Sequence, residues 1–345
     1  MMNMKGLATG VGSLPFLEAQ KAIDLILRYV PCAPFWPQLP KCDMREGMIA
    51  QFSENLPGLK IDASSGLRFA PVDRERELEV FYERFIAEDF SYFKLSPDFA
   101  RGLYAFYQRL KDMDLSRVEF IKCQVTGPFT FCSGINDPYG KSILHDKVLM
   151  QAMVKGLSMK ALWQLEYFKP FGKKIIMFFD EPYLTSVGSA YTPVNRNDVI
   201  SAFSELTDSL KSRDCLVGIH CCGNTDWSML MEAEGIDLIN FDAFDFQERF
   251  VLYADNLNSF LKRGGVICWG IVPTQGYDSS QTPEGLSQRI KSGLDTLVKK
   301  GIDRELLLDR LMISPACGLG ALDARQAEGI FSLLDKTSVF IRKTF

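Results

Sequence analysis

The sequence predicts an α/β protein of the (β/α)8 barrel class (a TIM barrel), with an insertion between the second and third strands. Three observations carry that expectation. Eight short, nearly continuous apolar runs recur along the 345 residues, as parallel strands buried on both faces do. Longer helical patterns lie between them, and strand alternating with helix argues for a parallel sheet. Residues able to do chemistry gather at the C-terminal ends of those runs, where barrels of this class build their sites. A doubly wound open sheet is the alternative arrangement of the same elements.

The strands are expected at 6–12, 33–39, 120–127, 174–180, 215–221, 237–243, 265–271 and 310–316. "FLEAQKAIDLILRYV" follows the first strand as a helix, and "HDKVLMQAMVKGLSMKALWQLEYF" follows the third. "FQERFVLYADNLNSFLKR" follows the sixth. The helix after the seventh carries its own punctuation: Thr282 as N-cap, Pro283 at the first helical position and Gly301 as the stop. "DARQAEGIFSLLDKTSVFIRK" closes the chain. The segment 41–118 breaks the rhythm. "LKIDASSGLRFA" reads as a hairpin with Gly66 in its turn, and two helical patterns follow it. It is expected to cover one end of a single barrel domain spanning 1–345.

Composition narrows the function classes. The chain is 47% hydrophobic and 24% charged with net charge −4, so a large basic footprint for nucleic acid is not expected. No apolar run approaches the roughly 20 residues that span a bilayer. The start "MMNMKGLATGVG" has neither the apolar segment nor the cleavage site of a signal peptide. The expected compartment is the cytoplasm, with no membrane partner. The nine cysteines are then free thiols, most of them core filling.

The strand ends, read in order, are Gly12-Ser13, Thr126-Gly127-Pro128, Asp180-Glu181-Pro182, His220-Cys221-Cys222, Asp242, Trp269-Gly270 and Cys317-Gly318. The chain has only two histidines, and one stands between a strand and two cysteines. Alternation along a strand puts His220 and Cys222 on one side and Cys221 on the other. His-x-Cys can supply two ligands to one ion, and Cys317 a third from the last strand. Thiolates and imidazole suit zinc, whose catalytic sites keep a position open. Trp36, Gln38 and Trp269 are candidate pocket residues near the mouth. Asp180 and Glu181 are the candidate catalytic carboxylates, although Glu181 reads equally well as a helix-start group. Asn224 is expected to brace the turn after His220.

"GVGSLP", "TGPFTF", "DEPYL", "HCCGN" and "SPACGLG", in this order, resemble the barrel superfamily of cobalamin-independent methionine synthase, uroporphyrinogen decarboxylase and methylcobamide:thiol methyltransferases. "VGSLP", "DEP" and "SPACGL" are most similar to the methionine synthase barrel. "HCCGN" is more similar to the corrinoid-dependent enzymes. The resemblance implies zinc ligands at His220, Cys222 and Cys317. Asp242 stands where methionine synthase has a glutamate ligand, one methylene longer. It implies an amine-binding carboxylate at Asp180 and a carboxylate-binding turn at Gly12-Ser13.

The implied function is a zinc-dependent methyltransferase acting on a small thiol. Its methyl donor is a methylated corrinoid, carried on a corrinoid protein, in preference to folate. Two alternatives remain. A decarboxylase of the uroporphyrinogen type needs arginines near the first strand, and "GVGSLPFLEAQKA" has none. A non-catalytic barrel that binds zinc or a corrinoid protein is the other.

Overall fold

A computed structural model of the chain describes residues 3–62, 66–189, 192, 194–211 and 213–345. Its strands are β1 (Leu7–Ala8), β2 (Leu59–Asp62), β3 (Gly66–Phe69), β4 (Phe120–Thr126), β5 (Lys174–Asp180), β6 (Cys215–Cys221), β7 (Leu238–Asp242), β8 (Val266–Val272) and β9 (Leu311–Pro315). Seven of them form one parallel sheet in the order β1-β9-β8-β7-β6-β5-β4.

The stretch expected as the second strand closes this sheet into a barrel without becoming a regular strand. It meets its neighbours only through single bridges, Phe35 with Lys122 and Ser13 with Gln38. On one side Lys122 N–H donates to Pro34 O and Phe120 N–H to Cys32 O. On the other Gln38 N–H donates to Gly12 O, and Leu14 N–H to Gln38 O. Pro34 and Pro37 have no N–H to give to a ladder, so regular pairing stops where they stand. The first strand is also shorter than expected. It is regular only over Leu7–Ala8, after which Thr9 N–H still reaches Ile313 O.

Helices cover the outside. Helix Pro283–Lys299 begins as its sequence signals: Thr282 caps it by accepting from Gly285 N–H, and Gly301 beyond its end has φ +92°. The segment 41–118 divides into parts with different roles. Helix Arg101–Lys111 packs against helix Ala19–Tyr29, and its Tyr104, Phe106 and Tyr107 meet Tyr167 and Phe168 of helix Lys147–Phe168. It is thus an ordinary barrel helix. Residues 41–52 lie at the mouth as short helical turns. The β2–β3 hairpin pairs Asp62 with Gly66; its turn, residues 63–65, falls outside the described residues. Helix Arg74–Ile86 packs on Lys147–Phe168, which explains why the latter helix is buried on every side.

Side chains alternate between two apolar clusters. Leu7, Phe120, Ile176, Phe178, Leu238, Val266, Cys268 and Met312 fill the barrel's interior. Ile175, Met177, Phe179, Ile219, Phe241, Trp269 and Ile313 pack outward against the helices. Continuing the inward parity toward the C-terminal ends gives Lys122, Gln124, Asp180, His220, Asn240 and Ser314. A polar layer therefore sits on an apolar one. None of the described helices is long and apolar enough to cross a membrane.

Candidate metal and substrate site

Registry brings the polar layer together. Asp180 pairs with His220 across β5 and β6, and His220 with Asn240 across β6 and β7. Just beyond these ends, His220, Cys222 and Cys317 place one ligand atom each within 4.8 Å of one another. His220 is buried, and the two thiols are partly so. Three soft or borderline donors at that spacing suit a zinc ion with one coordination position left open.

The electrostatics are those of a shared site. Burial pulls the His220 imidazole down, but the Cys317 thiol and Asp180 outweigh it and raise the pKa. Contact with Cys317 lowers the Cys222 thiol against the effect of burial. Contact with Cys222, and then burial, pushes Cys317 up. The two sulfurs thus shift one another's ionisation in opposite directions.

A cavity of about 440 Å³ opens beside the trio. Val11, Ser13, Gln38, Met48, Asp180, Pro182, His220, Cys222 and Cys317 are among its walls. A smaller cavity of about 180 Å³ lies on the other side of the Cys222 and Cys317 pair, with Asp242, Asp245 and Thr274 in its lining. The turn after Cys317 folds over Ser13: Leu319 N–H donates to Ser13 O, and Gly320 N–H to Ser13 Oγ at 3.3 Å. A Cβ on Gly318 would lie 2.2 Å from Ser13 Oγ, so any side chain there would displace the Ser13 hydroxyl.

Asp180 is the least satisfied group at the mouth. Its Oδ1 is buried without a hydrogen-bond partner. Burial raises its pKa, against the pull of Lys122 and His220. Lys122 lies below it inside the barrel, over the Phe35 and Phe178 rings, bonded to Val11 O and to Gln124 Oε1. Burial brings its pKa down to about 8. Gln38 faces the cavity with a fixed amide. Gln51 Nε2 donates to Phe99 O, which turns Gln51 Oε1 toward Gln38 Nε2 at 2.8 Å. Gln38 Oε1 is therefore turned away from Gln51.

Several expected site residues are placed differently. Glu181 points away from the mouth. Its carboxylate accepts from Phe129 N–H, Thr130 N–H and Thr130 Oγ1 at 2.6–2.9 Å, capping helix Pro128–Ser133. Burial pushes its pKa up to about 7 despite those donors. Trp36 is buried in the helix layer, its Nε1 donating to Gln164 Oε1 at 2.9 Å. Trp269 packs outward on Phe241 and Phe250. Gly12 is not in the cavity wall; it abuts the Gln124 side chain. Asp242 is outside the close trio, and its Oδ1 caps the next helix by accepting from Asp245 N–H at 3.0 Å. Asn224 Oδ1 is buried with no partner, so it does not brace its turn through that atom.

Lys122, Asn240, Gln124 and Met48 were not foreseen. Inward parity from Asp180 and His220 across the sheet register points to the first three. Met48 belongs to an irregular segment without such a signal.

No protein-family model matches the chain, and no curated protein sequence does. Among solved structures it is similar to a B12-independent methionine synthase from Shewanella sp. W3-18-1, in complex with selenomethionine. The two share 16% identity, the match covers 98% of each chain, and the TM-score is 0.59. A match of that length and low identity shows a common fold, an α/β barrel.

Proposed function

We propose that this chain is a zinc-dependent methyltransferase that delivers a methyl group to a thiol. The observation that carries the proposal is the His220, Cys222 and Cys317 trio, its ligand atoms within 4.8 Å of one another beside a cavity large enough for a small acceptor. These three residues would hold the ion. An ion held by His220, Cys222 and Cys317 would keep an acceptor thiol as its thiolate, which matters because the thiolate is the nucleophile and a free thiol titrates only near 8.5.

The remaining work falls to the chain itself. Val11, Pro40, Met48 and Pro182 give the cavity apolar walls that limit water around the sulfur. The Asp180 carboxylate and the Gln38 amide line the cavity and suit a cationic or hydrogen-bond-donating part of the acceptor molecule. The acceptor's S–H proton is released to solvent as the thiolate forms. A sulfur lone pair then makes the new S–C bond, while the methyl group's bond to its donor breaks and that pair stays with the donor. Proximity and alignment supply most of the rate advantage in such a transfer.

We further propose a methylated corrinoid as donor. Its support is the His-x-Cys-Gly-Asn likeness at 220–224 and the sparse positive charge of the mouth. Lys41 is the one cation among the described lining residues, and its ammonium is held by Leu322 O at 2.5 Å. A polyanionic donor would find little there to bind.

Elemental analysis of chelator-free protein should show about one zinc per chain, as a mononuclear site implies, and Cys222→Ser and Cys317→Ser should lose it. Methylcobalamin should be demethylated only when both a thiol and the metal are present, with methyltetrahydrofolate inert. Full zinc content in both serine variants would sink the site. Transfer from folate alone would replace the donor.

A further inference from the structure

Asn240 makes three hydrogen bonds inside the barrel, and together they leave it no freedom. Its Nδ2 donates to Cys268 O at 2.8 Å and to Ser314 Oγ at 2.9 Å. Cys268 O is a backbone carbonyl and can only accept. Ser314 Oγ spends its own hydrogen on Pro315 O at 2.8 Å, so toward Asn240 it too acts as acceptor. Both Nδ2 hydrogens are used, and Oδ1 must face the remaining neighbour. That neighbour is His220 Nδ1, 2.6 Å away.

An amide flip would set Oδ1 against the Cys268 carbonyl, acceptor on acceptor, in a buried site. Unmatched groups of that kind cost about 1–3 kcal/mol each. The orientation of Asn240 thus follows from donor and acceptor chemistry alone. An amide oxygen 2.6 Å from a ring nitrogen requires a hydrogen on that nitrogen.

We propose that Asn240 is the positioning residue of the site: it holds His220 as the Nδ1–H tautomer and leaves Nε2 bare toward Cys222 and Cys317. The proposal rests on the metal-site reading above, because only a bare nitrogen can ligate. The relay also links the two ligand-bearing strands. It runs from His220 on β6 through Asn240 on β7 to Ser314 and Pro315 on β9, two residues before Cys317. One side chain therefore sets both the protonation pattern of the histidine and its placement relative to the second thiol strand. Hydrogen bonds that fix a ligating histidine in this way are worth about 10–100-fold in metal affinity where they have been removed.

The test uses the full chain labelled with 15N-histidine. With only His220 and His145 present, long-range proton–nitrogen correlations give two ring patterns. His220 is assigned as the pattern that persists in His145→Gln. In metal-stripped protein, at a pH where the ring is neutral, His220 should show a protonated Nδ1 and a bare Nε2. In Asn240→Leu the pattern should shift toward the Nε2–H form, and zinc affinity should fall about 10–100-fold. Asn240→Asp, which still accepts from Nδ1, should restore the Nδ1–H pattern.

An Nε2–H tautomer in the wild-type chain overturns the proposal without recourse to any variant. So does an Asn240→Leu protein with unchanged tautomer and unchanged zinc affinity. A wild-type chain that holds Nδ1–H yet binds no zinc would instead defeat the metal-site reading and leave the role of Asn240 in setting the tautomer intact.

Discussion

Asp180 and Glu181 are adjacent in sequence and differ by one methylene, yet they belong to opposite sides of the barrel wall. On the inner side, Asp180 lines a cavity, and its buried Oδ1 has no partner. On the outer side, Glu181 accepts three hydrogen bonds and caps a helix. The contrast extends around the ring. Inward lie the two thiols, His220 and Gln38, all lining the cavity. Outward lie Trp36, bonded to Gln164, and Trp269, packed on Phe241 and Phe250. Residue type does not separate the two sets. The pleat does, because consecutive side chains on a strand face opposite ways. At Asp180 a buried oxygen is left incomplete beside the cavity, whereas at Glu181 and Trp36 the protein has completed the polar groups itself.

On that division, substitutions at Glu181 and Trp36 change stability and leave metal binding alone, those at the open inner groups change binding, and Lys122, inner but bonded within the barrel, changes stability. The largest stability effect is expected at Glu181. Glu181→Ala strands two buried backbone N–H groups and a hydroxyl, at about 1–3 kcal/mol each, so chemical denaturation should show a loss of about 3–5 kcal/mol. Zinc content of the folded fraction should stay at the wild-type level. A loss below about 1 kcal/mol, or a selective loss of metal, would erase the distinction.

Lys122 gives the next largest effect, and it depends on pH. Its ammonium titrates near 8 when folded, against 10.5 when free. Between those values the unfolded chain holds more protons than the folded one, so the group's contribution to stability rises with pH. The stability of the wild type relative to Lys122→Met should therefore improve from pH 8 to pH 10, by about 2 kcal/mol. A flat difference across that window would show that the ammonium is better paired than its position implies.

Trp36→Phe tests the outer layer more gently. It removes the bond to Gln164 Oε1 and leaves that oxygen buried, at a cost of about 1–3 kcal/mol. Turnover of the folded protein should not change, since Trp36 faces the helices. A large change in the Michaelis constant would place it back at the mouth.

The smallest stability effect belongs to Asp180, where the functional effect is greatest. Its pKa is raised by burial, so its charged form weighs against folding at neutral pH, and that cost is absent below its unfolded value. Asp180→Asn should be neutral or slightly stabilising in a thermal melt at pH 7. It should nevertheless weaken an amino-bearing thiol far more than a simple alkyl thiol. Equal weakening of both, or clear destabilisation, would remove Asp180 from the acceptor-binding role.

Much of this was legible in the sequence because it depends on local order. Six of the eight expected strands appear as regular strands within a residue or two, since apolar β-branched runs bounded by turns need no distant information. The cap at Thr282 and the stop at Gly301 are likewise local. His220 and Cys222 share a side by alternation alone, and Cys317 follows from the rule that strand ends meet at one mouth. The second strand was misjudged where Pro34 and Pro37 deny the ladder its donors, so that its closure of the barrel rests on a few bonds from neighbouring strands.

What only the tertiary structure decided is which polar groups find partners. Glu181 is a cap because helix Pro128–Ser133 starts beside it, 51–52 residues away in the chain. Trp36 belongs to the helix layer because Gln164 meets it across 128 residues. Asn240 gained its role only when three other strands surrounded it. Periodicity assigns a side chain to a face. Whether that face then presents a satisfied group or an open one depends on atoms brought together by the closing of the barrel, and no local pattern contains them.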